Sequence, residues 1–254
     1  MLYIIGLGLG NEKDITIKGL ETIRNCELIY LENYTSLLQC SVEDLEKLYH
    51  QKIILADRER TEQGDEAIIE EARTKNVAFL VIGDPFSATT HVDLLKLAKE
   101  KGVLTKIIPN ASILTAIGLT GLQLYKFGRT TSIPFIEDNP HLETPYNVLE
   151  ENQKSGLHTL FLLDLKPAEE KFMTVNGALE ILEGIEEKKK KDLIHKKTLV
   201  IGCARLGSEN PLIKAGPLGV VKEFDFGRPP HCLIIPGKLH FVEEEMLKIY
   251  EGGE

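Results

Sequence analysis

The sequence lacks the short motifs that mark the commonest hydrolases, nucleotide-hydrolysing proteins and zinc enzymes. It contains no G-x-S-x-G turn, no glycine-rich loop ending in Gly-Lys-Ser/Thr and no H-E-x-x-H pair. Its histidines stand singly, without the close spacing of metal ligands, so we predict no metal site. Among them we single out His231, because the Gly-Arg-Pro-Pro segment before it leads rigidly into an apolar strand.

Cysteine is scarce as well. The 254 residues include four cysteines, Cys26, Cys40, Cys203 and Cys232, with no C-x-x-C spacing. A chain of this length buries a sufficient core without disulfides, and it has no secretory signal or membrane-length apolar run. We therefore expect a reducing, cytoplasmic setting and no membrane partner.

Basic residues are outnumbered by acidic ones, 30 to 39, which gives a formal net charge of −9. Such a chain repels nucleic acid unless cations are concentrated locally. The lysines at 188–191 are such a concentration, but they follow an amphipathic helix and suit the negative end of its dipole. We predict no direct nucleic-acid partner.

Apolar segments of strand length alternate with amphipathic helical segments. Val77 to Ile82 is a continuous apolar run, which is typical of a strand covered on both faces. The alternation predicts an α/β fold with a mainly parallel first sheet and a second α/β layer after it. We place the boundary near residue 111, which gives two α/β domains, 1–111 and 112–254.

Three local expectations accompany this division. Small and apolar residues at 110–122 predict a buried helix at the junction. The proline-containing stretch 128–147 is predicted to be an irregular connection. Asp14 is expected to cap a helix that begins at Ile15.

A polar turn follows the apolar strand directly, since residues 83–91 read Gly-Asp-Pro-Phe-Ser-Ala-Thr-Thr-His. Ligands in open α/β sheets bind beyond the carboxyl ends of the strands, so the turn predicts a pocket for a small polar molecule. The alternative is an ordinary turn in which Thr89 or Thr90 caps the next helix. The polar side chains of this turn are Asp84, Ser87, Thr89, Thr90 and His91.

A glycine loop follows the first predicted strand, where Gly6, Gly8 and Gly10 let a ligand or another backbone approach closely. The dinucleotide fingerprint G-x-G-x-x-G requires a glycine where Asn11 stands. Glu32 lies about 20 residues further on, where that fingerprint has its ribose-binding acid. A nicotinamide-dependent oxidoreductase is therefore one hypothesis, beside a plain tight turn.

Six segments together resemble one family. The likeness is to the diphthine synthases, within the tetrapyrrole-methylase-like class of methyltransferases, and it extends from Met1 to about Met246. It implies two α/β domains with S-adenosylmethionine bound in the cleft between them. The segments are residues 6–10, 83–91, 110–113 (Asn-Ala-Ser-Ile), 121–128, 158–164 and 204–207 (Ala-Arg-Leu-Gly).

The resemblance implies methyl transfer to translation elongation factor 2 in diphthamide biosynthesis. The acceptor in this family is the 3-carboxy-3-aminopropyl chain of a modified histidine. Archaeal members add three methyl groups to its nitrogen, whereas eukaryotic members also esterify the carboxylate. Residues 2–20 resemble eukaryotic members more closely, which implies four methylations and diphthine methyl ester as product. Relatives in this class are commonly homodimers, and the segment from Ala111 to Leu122 is either part of such a contact or interior.

The family pattern also implies which residues bind the donor. Because the sulfonium already activates the methyl group, alignment matters more than acid catalysis, and we assign no catalytic residue. The implied donor-binding residues are Leu9, Asp84, Ser87, Ser112, Ile113, Leu163, Leu206 and His231.

Two positions depart from the family pattern. Asn11 stands where close relatives often have aspartate, and Ser87 where many eukaryotic relatives have glycine. A non-catalytic adaptor that kept the fold is a further hypothesis. It predicts disrupted pocket positions, whereas Asp84, Ser112 and His231 are retained.

Overall fold

The computed structural model describes residues 1–33, 36–56, 66–88, 91–139 and 141–252. They form two compact units. Unit 1 comprises Met1–Ala116 with Gly207–Glu209, and unit 2 comprises Ile117–Leu206 with Asn210–Glu254. The boundary of folding domains near residue 111 stays a prediction.

Unit 1 contains a parallel sheet with helices along the chain between its strands, which confirms the α/β prediction. Its strands are β1 Leu2–Gly6, β2 Leu28–Glu32, β3 Ile54–Ala56, β4 Val77–Val81 and β5 Thr105–Ile108, in the order β3-β2-β4-β1-β5. Its helices are α1 Ile17–Arg24, α2 Val42–Tyr49, α3 over 66–72, α4 Val92–Glu100 and α5 Ile113–Ala116.

Strand β4 explains why its sequence is apolar without alternation. All of its residues are buried, because successive side chains point to opposite faces and both faces are covered. Phe79 packs in a cluster with Leu94 of α4, whereas Leu80 packs in a second cluster with Ile23 of α1. Each such side chain contributes about 1.5–3 kcal/mol on burial.

Unit 2 contains a mainly antiparallel sheet. Its strands are β6 Thr131–Ile133, β7 Thr159–Leu163, β10 Leu199–Ala204, β11 Leu212–Pro217 and β12 His231–Ile235, in the order β11-β10-β12-β7-β6. A separate hairpin joins β8 Leu165–Lys166 to β9 Lys171–Phe172. Its helices are α6 Thr144–Lys154, α7 Val175–Lys189, α8 Leu218–Val221 and α9 Phe241–Ile249. Within the described residues no helix is long and apolar enough to cross a membrane.

Two local expectations from the sequence are wrong. The stretch 128–147 is not wholly irregular, because it contains β6 and the first turn of α6, where Pro145 is tolerated since that turn needs no N–H donor. The segment 110–122 is not one buried helix but α5 followed by a 3-10 turn, Ile117–Thr120, with Leu119 49% exposed. Gly121 ends it with φ +84, and a Cβ there would lie 2.5 Å from Met246.

A buried ionic cluster joins the start of β7 to the start of α9. Glu243 is fully buried, and its Oε1 accepts hydrogen bonds from Gln123 N at 2.9 Å and His158 Nε2 at 3.0 Å. Its Oε2 accepts from His240 N at 2.7 Å and pairs with Lys126. A buried charge is tolerated only when it is paired and hydrogen-bonded in this way.

The Glu243 cluster predicts a defined pH dependence of stability. Burial raises the pKa of the Glu243 carboxyl, but hydrogen bonds from Lys126, from backbone N–H groups and from His158 outweigh burial and lower it from 4.5 to about 2. The carboxylate therefore stabilises the fold fully above about pH 4.5, and this contribution is lost as the pH falls towards 2. We expect Glu243→Gln to lower the free energy of unfolding by about 3 kcal/mol at pH 7.

Urea denaturation across this pH range measures both effects. The control is Glu244→Gln, which changes the adjacent exposed carboxylate of the same helix. The cluster would have no such role if both variants lost equal stability or if Glu243→Gln kept the acid dependence of the parent.

Candidate functional site

The loops that follow β1 and β4 are paired at the carboxyl edge of the unit 1 sheet. Gly83 N donates to Gly8 O at 2.8 Å, and Gly8 N donates to Gly83 O at 3.2 Å. Both residues have positive φ, +81 and +85, which favours glycine. A Cβ on Gly6 would lie 2.6 Å from Gly83 O. The glycine loop is therefore needed for the close approach of two backbones.

The carboxylate of Asp84 stabilises the loop after β4 by accepting hydrogen bonds from within it. Its Oδ1 accepts from Phe86 N and from Ser87 Oγ, both at 3.0 Å. Its Oδ2 accepts from Asn110 N at 3.2 Å. Most of its acceptor capacity is thus used inside the protein. The Ser87 hydroxyl, which departs from the family pattern, is bonded to the same carboxylate.

Asn110 joins the loops after β1 and β5. Its Nδ2 donates to Gly6 O and to Asp14 O, both at 3.0 Å, while its own N–H reaches Asp84. The next residues lead into α5, where Ser112 is buried and Ile113 is half-buried. The sequence prediction missed this role of Asn110, although a polar residue two positions after a strand was a signal for it.

Asp14 does not cap a helix at Ile15, so that prediction is wrong. Its Oδ2 accepts from Gly10 N at 2.7 Å and closes the glycine loop. The helix α1 instead begins at Ile17, and the hydroxyl of Thr16 accepts from Gly19 N. The glycine loop has no free N–H at Gly10 for a ligand.

Leu9 of the glycine loop packs against the short segment 207–209, which also belongs to unit 1. A Cβ on Gly207 would lie 2.8 Å from Leu9 Cβ, and Gly207 has φ +86. Asn11 Nδ2 lies 3.5 Å from Glu209 Oε1 in the same region. The side chain of Leu9 therefore lies close to a residue distant in sequence.

The edge of unit 1 thus brings together five predicted residues on three loops. They are Leu9 after β1, Asp84 and Ser87 after β4, and Ser112 and Ile113 after β5. His91 is buried against Phe79, with ring centroids 5.4 Å apart. Burial lowers the pKa of the His91 imidazole. Thr89 and Thr90 lie outside the described residues.

The edge of the unit 2 sheet brings the other predicted residues together. Strand β12 runs antiparallel to both β7 and β10, and Cys232 pairs with Leu162 while His231 pairs with Ala204. The last residue of β7, the first of β12 and the segment after β10 therefore meet at one edge. These positions hold Leu163, His231 and Leu206, all of them buried.

His231 has one ring nitrogen bonded and one without a partner. Its Nε2 lies 3.2 Å from Arg228 O, whereas Nδ1 is buried and has no hydrogen-bond partner among the described residues. Since a carbonyl only accepts, Nε2 carries the proton and Nδ1 keeps a lone pair. Burial lowers the pKa of His231, so the ring is neutral at pH 7.

The geometry of unit 1 differs from a dinucleotide site. In that fingerprint the helix follows the glycine loop at once and its N-terminus meets the pyrophosphate. Here a 3-10 turn, Glu12–Asp14, separates the loop from α1, and the side chain of Asn11 accepts from Lys13 N at 3.0 Å. Glu32 is fully buried, which is unsuited to a ribose-binding acid.

Comparison with known proteins defines the class. The family model of the tetrapyrrole (corrin/porphyrin) methylases matches residues 1–221. Fold and sequence therefore make this a methyltransferase of the tetrapyrrole methylase class, as the resemblance implied. The oxidoreductase hypothesis is not favoured.

Individual relatives define the family more narrowly. A diphthine synthase of Methanococcus aeolicus is 47% identical over 249 residues, covering 98% of this chain and 97% of that protein. A diphthine methyl ester synthase of Dictyostelium discoideum is 45% identical over 267 residues, covering 98% of each chain. A crystal structure of diphthine synthase matches with TM-score 0.89 at 38% identity, covering 98% of this chain and 95% of the other. The chain belongs to the diphthine synthase family.

The three hydrogen bonds to Asp84 predict its contribution to stability. We expect Asp84→Asn to lower the free energy of unfolding by about 1–3 kcal/mol, because an amide has one acceptor oxygen and leaves at least one of three donors unpaired. Chemical denaturation measures the change. Asp93→Asn, in the exposed first turn of α4, is the control and is expected to cost about 0.5 kcal/mol. Equal losses in the two variants would contradict the role given to Asp84.

Proposed function

We propose that this protein transfers methyl groups from S-adenosylmethionine to translation elongation factor 2 in diphthamide biosynthesis. The acceptor is the 3-carboxy-3-aminopropyl chain of the modified histidine, and four transfers give diphthine methyl ester. The similarity to diphthine synthases over nearly the whole chain supports the reaction. The diphthine methyl ester synthase of Dictyostelium discoideum, at 45% identity, supports the fourth transfer.

One structural observation carries the proposal for the donor site. The loops after β1, β4 and β5 are tied together at one sheet edge, and they hold five of the eight residues proposed to bind the donor. The carboxyl ends of parallel strands are where α/β proteins bind small ligands. The other three proposed residues share one edge of the unit 2 sheet.

The chemistry of these residues fits S-adenosylmethionine. None of the eight carries a positive charge, since burial keeps His231 neutral, and a sulfonium cation is therefore not repelled. The unpartnered Nδ1 of His231 matches a ligand that offers an N–H or O–H donor, as the adenine and ribose groups do. The buried side chains of Leu163 and Leu206 suit the apolar faces of the nucleoside.

The protein's contribution to the reaction is binding and alignment. When bound, S-adenosylmethionine supplies a methyl group that its sulfonium has already activated. Asp84 and Asn110 fix the loops that position it, and this alignment accounts for most of the rate enhancement. Desolvation at the site lowers the pKa of the acceptor amine, whereas the acceptor carboxylate is ionised at neutral pH and needs no base.

Ligand-induced stabilisation tests the donor. We expect S-adenosylhomocysteine to raise the melting temperature, because a ligand that binds only the folded state stabilises it, and NAD to leave it unchanged. A rise with NAD alone would contradict the proposal and favour the oxidoreductase. Labelled methyl transfer to elongation factor 2 that lacks these methyl groups then tests catalysis, and mass spectrometry counts the groups added. Donor binding without transfer would favour the non-catalytic adaptor.

We also propose a cytoplasmic homodimer. The support is a set of exposed apolar side chains on the segment 117–126 and on α9, and a hydrogen bond from Tyr250 Oη, directly after α9, to Leu119 O at 2.7 Å joins the two segments. Leu119, Tyr125, Phe241 and Ile249 are between 49% and 80% exposed.

Sedimentation equilibrium tests the assembly. We expect Tyr125→Glu to convert a dimer into a monomer, since a charge in an apolar interface costs several kcal/mol when it is left unpaired. Ile17→Glu is the control, because Ile17 is as exposed as Tyr125 but lies on α1 of unit 1. A monomeric parent protein, or dissociation by both variants alike, would contradict this surface.

A further inference from the structure

Arg205 donates hydrogen bonds to several backbone carbonyls of unit 2. It directly follows β10, and its own N–H donates to Pro230 O at 2.8 Å. Its Nη1 donates to Phe226 O at 3.1 Å and also to Arg228 O, and its Nε lies 3.4 Å from Asn210 O. A guanidinium presents its donors in a rigid fork, which a lysine ammonium does not reproduce.

The backbone of Arg205 is in a conformation that arginine rarely adopts. Its φ is +52, in the left-handed region, which is unfavourable for a residue with a Cβ. Such conformations persist where the surroundings impose them, and they cluster at functional sites. The next residue is Leu206, one of the residues proposed to bind the donor.

The same carbonyl connects Arg205 to His231. Arg228 O accepts from Arg205 Nη1 and also from His231 Nε2, so its position determines which ring nitrogen carries the proton. The charged groups that act on His231 among the described residues are Arg205 and Asp225, and its register partner Ala204 is apolar. Burial lowers the pKa of His231, hydrogen bonds to the carbonyls of Arg228 and Gly227 oppose burial, the arginine cation lowers the pKa further, and Asp225 raises it.

We propose that Arg205 is a positioning residue of the donor site. It holds the Arg228 carbonyl so that His231 is protonated on Nε2 and presents the lone pair of Nδ1 to an N–H or O–H of the bound nucleoside. The inference rests on the proposed function, because the nucleoside is that of S-adenosylmethionine. The Glu243 cluster is independent of it, since its contacts lie at the opposite end of β7.

Calorimetric titration with S-adenosylhomocysteine tests the positioning role. We expect Arg205→Lys to weaken binding about tenfold, because one ammonium group replaces several directed donors. Arg24→Lys is the matched control, since Arg24 also donates to a backbone carbonyl, that of Leu48 at 3.0 Å, but lies on α1 of unit 1. Its affinity is expected to equal that of the parent.

The pH dependence of binding separates positioning from a general structural role. Affinity in the parent falls as the pH drops through the pKa of His231, because a protonated Nδ1 no longer accepts. In Arg205→Met the midpoint is expected to move to higher pH, since the cation that lowers the pKa is gone. Arg205→Lys keeps the charge and is expected to shift the midpoint less.

A double-mutant cycle gives a second, independent readout. His231→Gln keeps an N–H for Arg228 O but removes the Nδ1 acceptor, so the losses from Arg205→Lys and His231→Gln are expected not to add. Additive losses, parent-like affinity in Arg205→Lys, or an unchanged pH midpoint in Arg205→Met would each overturn the inference. If the parent failed to bind S-adenosylhomocysteine, the proposed function itself would fail.

Circular dichroism and thermal unfolding show whether each variant is folded. If both Arg205 variants unfold, the pH dependence of S-adenosylhomocysteine binding by His231→Gln still tests whether Nδ1 is the acceptor. Loss of the pH dependence of binding then supports the acceptor role of Nδ1, and its retention overturns it.

Discussion

Two side chains hold together the loops at the carboxyl edge of the unit 1 sheet. Asp84 and Asn110 are hydrogen-bonded to each other and to the loops that follow β1 and β4. One small hydrogen-bond network therefore joins the loops after β1, β4 and β5. Adjacent parallel strands end at the same edge of the sheet, but strand pairing does not hold the loops beyond that edge together. Hydrogen bonds between the loops are needed for that. Leu9 and Ser112 lie on loops that this network joins.

The antiparallel arrangement has the equivalent effect in unit 2. Strand β12 is antiparallel to both β7 and β10, so its first residue lies beside their last residues. His231 is therefore placed next to Leu163 by strand pairing alone. Arg205 then supplies the hydrogen bonds that the irregular segment 226–230 cannot make within itself. Backbone carbonyls buried without such partners would cost free energy.

The two sheet edges have a common electrostatic character. Their proposed donor-binding residues are apolar, hydroxyl-bearing or acidic, and the one imidazole among them is kept neutral by burial. This character suits a cationic donor and not a pyrophosphate, which binds where free backbone N–H groups or cations collect. In the glycine loop the N–H of Gly10 donates to the Asp14 carboxylate, and the backbones of Gly8 and Gly83 hydrogen-bond to each other. Its glycines therefore serve backbone packing.

Much of the fold was predictable from local pattern. A continuous apolar run predicted β4 because a strand covered on both faces has no polar side, and the alternation with helices predicted the parallel sheet. The edge strand β11 and the short β6 were missed, since neither carries a periodic apolar pattern of its own. Both are stabilised by pairing with longer neighbours.

The sequence by itself determined the α/β class, the family and the residue types available for binding, because these follow from patterns along the chain. Only the tertiary structure decided that Asp84 is engaged by three internal donors, that Asp14 closes a loop and does not cap a helix, and that His231 keeps Nδ1 unprotonated. Asn110 lies far from Asp84 in sequence, whereas Gly10 and Arg228 are near neighbours in sequence of Asp14 and His231. Packing and register decide which of these hydrogen bonds form, and no local pattern specifies either.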